Sequence, residues 1–138
     1  MPAPYEKLRA WQRCHELALA IRKESSSWSG DRALMGQIRR ASFSAAANIV
    51  EGYAKRGSKE LRRYLDIALG SLAEVEYTLR FAKDAEIITE ATWATLNQLR
   101  QRAHGTTRLL YNAISDRVDS LNQKGRSPKT TPPPVTHL

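Results

Sequence analysis

The six prolines of this 138-residue chain stand at its two ends, at positions 2 and 4 and then from 128 onward. Between Tyr5 and Leu121 there is none. Proline breaks helices because it lacks an amide hydrogen and its ring strikes the preceding turn. A stretch this long without one is free to be helical throughout. It also lacks any alternating run rich in Val, Ile and Thr bounded by Asn-Gly or Asp-Gly, the mark of a paired strand. The middle of the chain therefore reads as helices separated by short breaks.

The first helix is expected from about Tyr5 to Glu24, with Leu8, Trp11, His15 or Cys14, Ala18 and Ile21 on its inner face. Ser25-Ser26-Ser27 ends it, and Trp28-Ser29-Gly30 makes the turn. Asp31 is placed to cap a second helix that turns Leu34, Ile38, Ala41, Ala45 and Ile49 inward and stops between Gly52 and Gly57. Ser58 then caps a third. There Leu61, Leu65, Ala68, Leu72, Val75, Leu79 and Ala82 recur at alternating steps of four and three. That heptad seam favours packing in a left-handed bundle. Thr89 opens a fourth helix with Trp93, Leu96, Leu99, Ala103, Leu110 and Ala113 or Ile114 inside. Trp11 and Trp93, at helical spacing, are expected to anchor the core or a subunit interface. Four helices with short loops predict an all-α, antiparallel up-down-up-down four-helix bundle over residues 5–118. A flexible Pro/Ser/Thr-rich tail, 119–138, is expected to follow, its three successive prolines in polyproline II form.

Composition narrows the function. The 22 Lys and Arg against 14 Asp and Glu leave a net charge of +8, which invites a polyanionic partner. A lone cysteine, Cys14, excludes a disulfide framework and a cysteine zinc cluster. The N-terminal residues lack the apolar core of a signal peptide, and no run approaches the ~18 apolar residues of a membrane span. A cytoplasmic protein with no membrane partner is the expectation. Cys14 and His15 are adjacent, hence about 100° apart on a helix, and cannot work as nucleophile and base. The Glu-x-x-His pairs of di-metal bundles are missing, since Gln101 and Gln12 stand where His104 and His15 would need Glu. No phosphate-binding glycine loop occurs. The reading is a protein that is not an enzyme and uses no metal or cofactor.

The polar residues concentrate between Gln37 and Glu74. Arg40, Ser44, Asn48 and Gly52, four apart, form one stripe along the second helix, with Glu51 beside it. Gly70, Ser71 and Glu74 lie within about a turn of one another on the third. Small residues at Gly70, Ser71 and Ala45 to Ala47 are expected to let these two helices approach closely. Arg39 or Arg40 is expected to pair with Glu74 or Glu51 across that contact. Such a network serves either to fix register, within the bundle or between subunits, or to contact a ligand or nucleic acid.

The blocks Tyr5-Glu-Lys-Leu-x-x-Trp11-Gln, Gln37-Ile-Arg-Arg-Ala, Asn48-Ile-x-Glu-Gly52, Ser58-Lys-Glu-Leu and Ala68-Leu-Gly-Ser-Leu-Ala-Glu74 occur in that order. Together they resemble the four-helix bundle proteins encoded in intervening sequences of bacterial 23S ribosomal RNA genes, over roughly residues 5–118. The resemblance implies an antiparallel bundle assembling as a homopentamer around a central channel, with no established enzymatic activity. A related branch of the fold, the accessory protein of diversity-generating retroelements, implies a basic pentamer that binds a reverse transcriptase and nucleic acid. Carried over by position, the family's marked polar residues fall on Arg39, Arg40, Ser44, Asn48, Glu51, Gly52, Gly70, Ser71 and Glu74. Where the family usually has Ile-Pro this chain has Ala45-Ala46, so its second helix is expected to be straighter.

The charge is uneven. Residues 39–63 hold seven basic and two acidic side chains, a local excess of +5, while the rest of the chain is close to neutral per helix. Lys55, Arg56, Lys59, Arg62 and Arg63 are expected to contact phosphates, with Tyr53 as a base-stacking platform. The function that follows is a homo-oligomer binding nucleic acid, RNA before DNA. The alternative is an adaptor recruiting a partner enzyme such as a reverse transcriptase.

Overall fold

The computed structural model describes residues 2–28 and 30–124. A short 3-10 helix, Pro4–Lys7, leads into α1, Arg9–Glu24. It is followed by a second 3-10 helix, Ser25–Ser27, and then by α2 (Arg32–Ala54), α3 (Ser58–Asp84) and α4 (Glu90–Lys124). The helices neighbour one another in the cyclic order α1, α2, α3, α4 and back to α1, and the diagonal pairs lie farther apart. Short connections between sequential neighbours make them antiparallel. The expected bundle is therefore the fold. Its last helix outruns the expected boundary, because Asp119 to Lys124 continue α4 where the composition had suggested the tail. With no proline before 128, nothing stops the helix at 118. The remaining tail, including its proline run, lies outside the described residues.

The capping chemistry explains most of the boundaries. Asp31 accepts a hydrogen bond from the Leu34 amide at 3.0 Å, and Thr89 accepts one from the Thr92 amide at 3.1 Å. Both are side-chain caps for otherwise orphaned first-turn N–H groups. At α3 the expectation fails by one residue. Gly57, at φ 96°, is the N-cap and Ser58 is already helical. The tight reversal after α2 needs a left-handed residue, and glycine adopts that conformation at least cost.

The heptad seam of α3 is the axis of the core. Leu65, Ala68, Leu72, Val75, Leu79 and Ala82 are completely buried, and Leu61 is half-buried at the end. The inner face of α2 is as expected, with Leu34, Ile38, Ala41, Ala45 and Ile49 all buried. On α1 the face is rotated. Ala10, Cys14, Leu17 and Ile21 are buried, whereas His15 is exposed and stacks on Trp11, ring centroids 4.7 Å apart. Trp11 and Trp93 are half-buried against the core as expected, and Lys83 lies 4.1 Å over the Trp93 ring. Trp28, read as part of a turn, is in fact buried and closes one end of the core.

Two core contacts are close enough to test. A Cβ on Gly52 would lie 2.6 Å from Tyr64 Cβ and 3.2 Å from Leu61 Cδ1, so α2 and α3 meet there backbone to side chain. Gly52→Ala is expected to lower stability by about 1–3 kcal/mol through overpacking. Gly36→Ala, whose Cβ would meet nothing within 4 Å, should raise it by about 0.5–1 kcal/mol. Urea titration of both variants checks the pair.

Cys14 is fully buried, its Sγ 3.6 Å from Thr107 Oγ1. Burial pushes the thiol up to about 11, against the smaller opposing effect of the Thr107 contact. The folded state therefore holds this proton after the unfolded chain has released it. Its contribution to stability is complete below pH 9 and is lost as pH climbs from 9.0 toward 11. Cys14 should resist an aromatic disulfide reagent near neutral pH in the folded protein and react at once in denaturant. The loss of stability between those two pH values should be shallower in Cys14→Ala.

Candidate nucleic-acid interface

The α2–α3 hairpin sets the position of every predicted site residue. Ser71 donates to Ser44 Oγ at 3.0 Å, and Gly52 faces Tyr64. Residues about equally far before and after the Gly57–Ser58 turn thus meet across the two helices. Within this frame the predicted polar network divides into parts. Asn48 donates to the Ser44 carbonyl at 2.8 Å and to Ser44 Oγ at 3.0 Å, so Ser44, Asn48 and Ser71 form one linked group. Glu51 accepts from the Tyr64 hydroxyl at 3.4 Å, which places it beside Gly52.

The arginines do not join them. Arg39 reaches in the other direction, donating from Nε to Ser25 Oγ at 2.7 Å and from its guanidinium to the Arg22 carbonyl at 3.1 Å and Ser26 Oγ at 3.3 Å. It caps the C-terminus of α1, where free carbonyls and the helix dipole favour a cation. Arg40, about 100° further round α2, is exposed. Among the described residues neither pairs with Glu51 or Glu74, so the expected cross-helix ion pairs are not formed. Glu74 and Gly70 both face outward. A Cβ on Gly70 would meet nothing within 4 Å, so this glycine does not bring α2 and α3 together. Gly52 does that.

The five predicted phosphate contacts also separate. Lys55, Arg56 and Lys59 are exposed on the turn and the first turn of α3, and among the described residues they form no ion pair. Arg62 is half-buried and turned toward α4, 3.7 Å from Asp119 and donating to Ser115 Oγ at 3.4 Å. Arg63 lies 3.5 Å from Glu60 and 4.6 Å over the Tyr64 ring. Lys55 Nζ sits 5.7 Å from the centre of the same ring. Tyr53 is exposed beside the turn. Of the five predicted cations, three are thus free of ion pairs among the described residues, gathered at one end of the bundle with an aromatic ring beside them.

Sequence reasoning missed three residues, two at this end of the bundle and one, Arg100, further along α4. Tyr64 is the hub around which Gly52, Glu51, Lys55 and Arg63 are arranged. The signal for it was its distance from the Gly57 turn, which puts it opposite Gly52. Arg100 occupies an inner-face position of α4, buried, with Glu76 at 2.9 Å and Asn97 Oδ1 at 2.8 Å. Burial, followed by Arg108 and Arg100, lowers the pKa of nearby His104 against the raising influence of Glu76. Arg117, on the last turns of α4, borders the same end of the bundle as Lys55. Among the described residues no three His, Cys, Asp or Glu converge as a metal site, and no helix is long and apolar enough to cross a membrane.

Known proteins give the fold a family. No curated protein matches the chain. Among solved structures it is similar to the crystal structure of a protein of unknown function from the S23 ribosomal protein family of Bacteroides thetaiotaomicron. The TM-score is 0.70 at 22% identity, over 74% of this chain and 97% of that one. At that identity the likeness speaks for the fold alone. Residues 6–112 match the family model of the 23S rRNA-intervening sequence protein, a span that takes in all five sequence blocks except the first residue and every hairpin described above. With those blocks carried on one continuous four-helix frame, the chain belongs to the family of 23S rRNA-intervening sequence proteins.

Proposed function

We propose that this protein is a non-enzymatic homo-oligomer, in the pentameric form its family resemblance implies, that binds structured RNA through the α2–α3 turn. The observation that carries the reading is the uncompensated charge of Lys55, Arg56 and Lys59 at one end of the bundle. The opposite end is balanced, with Arg22, Lys23, Arg32 and Lys83 set among Glu24, Asp31, Asp84, Glu86 and Glu90. A bundle polarised in this way presents a phosphate-seeking tip, and Tyr53 offers a face for an unstacked base. Arg62 and Arg63 add field at short range while their own contacts hold them to the bundle.

Oligomerisation draws support from the outer face of α3. Ile67, Gly70, Glu74, Tyr77 and Phe81 repeat at steps of three and four, a second heptad stripe turned to solvent. Tyr77 is 68% exposed, and Phe43 on α2 is 69% exposed, an uncommon presentation for large apolar rings. Closing several copies into a ring would multiply the basic tips by symmetry.

In fluorescence anisotropy with a structured RNA, binding should weaken steeply from low to moderate salt. Neutralising Lys55, Arg56 and Lys59 to Gln should flatten the log–log salt slope by about 2–3 per contacting subunit. Salt-independent binding, or none at low salt, would leave the adaptor role in its place, with a protein partner that survives nuclease treatment. Gly70→Ala separates fold from assembly. It should stabilise the isolated helix by about 0.5–1 kcal/mol yet reduce the oligomer seen by light scattering, if α3 packs on a second copy there.

A further inference from the structure

A cavity of about 420 Å³ opens at the basic end of the bundle. Leu8, Leu61, Leu110 and Ile114 form its apolar part, drawn from the start of the chain, α3 and α4. Lys55, Ser58 and Arg117 supply its polar side, with Tyr53 at the α2 edge, and no carboxylate lines it. A half-open cavity of that size, with apolar and polar walls side by side, can receive a small molecule or one unit of a larger one.

Arg117 gives the cavity its chemistry. The Nε of this half-buried side chain is sealed from solvent and has no hydrogen-bond partner. Its acidic neighbour Asp119 lies near Arg62 instead, and among the described residues Arg117 forms no ion pair. A buried, unmatched guanidinium N–H is costly to leave unpaired. As the side chain stands that nitrogen is closed to a ligand as well as to water; what Arg117 offers the cavity it lines is a guanidinium that, among the described residues, has no carboxylate partner. Arginine holds phosphate and carboxylate oxygens through a fork of N–H donors. The remaining polar atoms agree in sign: the Lys55 ammonium is a donor, and the Ser58 hydroxyl can act as one. The site thus pairs an apolar floor with an all-donor, cationic rim.

We propose that this cavity binds a single nucleotide, its base against Leu8, Leu61, Leu110 and Ile114 and its phosphate held by Arg117 and Lys55. The inference deepens the RNA-binding reading, since the cavity opens beside the exposed cations, but it has its own residues. A nucleotide reaches it either as an unpaired unit of a bound RNA or as a free mononucleotide. The chemistry is the same in both cases.

The test is calorimetric titration of the full-length protein with AMP and UMP, alongside inorganic phosphate and adenosine. Both mononucleotides should bind with dissociation constants below about 1 mM, and phosphate or adenosine alone at least about tenfold more weakly. Arg117→Gln should weaken AMP binding by about tenfold or more. Lys55→Gln, at an exposed position where folding is not at stake, should weaken it as well. Arg102→Gln, exposed some ~20 Å away along α4, should not. No mononucleotide binding by the wild-type protein, or binding untouched by both Arg117→Gln and Lys55→Gln, overturns the site. If structured RNA still binds in that case, the surface reading stands and the cavity alone fails. If AMP binds in the predicted way and RNA does not, the site stands and the RNA reading fails. Displacement of a single-stranded RNA oligomer by AMP identifies a unit of the bound strand as the occupant. AMP and RNA binding together without competition identify the free nucleotide.

Discussion

Everything at the basic end of the bundle depends on the contact of Gly52 with Tyr64. The missing Cβ lets the backbone of α2 approach the Tyr64 side chain, whose hydroxyl then donates to Glu51 while Arg63 and Lys55 lie against its ring. Because helices are stiff, this contact and the Ser44–Ser71 hydrogen bond together set the register of the whole α2–α3 hairpin. The register in turn decides where the Gly57 turn falls, and the turn carries Lys55, Arg56 and Lys59. Packing a few ångströms away, together with the positive φ of Gly57 in the turn, positions the exposed charge.

The electrostatics of the bundle follow from which cations find partners. Arg39 caps α1, and Arg100 is buried with Glu76 and Asn97. Arg80 pairs with Asp84 one turn away, and Arg13 with Glu16. Surface pairs of that kind add little stability, but they cancel field along the shaft. At the α2–α3 turn the chain offers few carboxylates, so three cations remain in water and a fourth, Arg117, is left with an unmatched N–H beside a cavity. Exposed aromatic residues on α2 and α3 add an apolar side to the same molecule. A charged tip and an apolar flank are distinct surfaces, suited to different partners at the same time.

How far the sequence could be read depended on the kind of signal. The α3 seam was legible because every residue in it is apolar and the period is strict, so one face is singled out. On α1, Cys14 and His15, or Leu17 and Ala18, differ by a rotation of about 100°. Composition does not choose between them; contact with α4 through Thr107 does. Arg39 and Arg40 pose the same problem. Arg40 opens the polar stripe and Arg39 adjoins it, and only the end of α1 beside Arg39 determines that this one is engaged and its neighbour exposed. Gly70 and Gly52 look alike in sequence. One faces solvent, and at the other a Cβ would lie 2.6 Å from the Tyr64 side chain of the facing helix.

The sequence by itself determined the helices, their order, the apolar seam of α3 and α2, and the concentration of positive charge near residue 57. These follow from local rules: proline placement, capping residues, periodicity and simple counting. Tertiary structure alone decided which cations stay free, that Tyr64 is the centre of the basic end, and that Leu8, Leu61, Leu110, Ile114 and Arg117 line one cavity. Those residues come from α3, α4 and the segment before α1, as much as 109 positions apart in the chain. No local pattern relates them. They meet because each helix buries its own apolar face, and that common burial brings distant chain ends to the same end of the bundle.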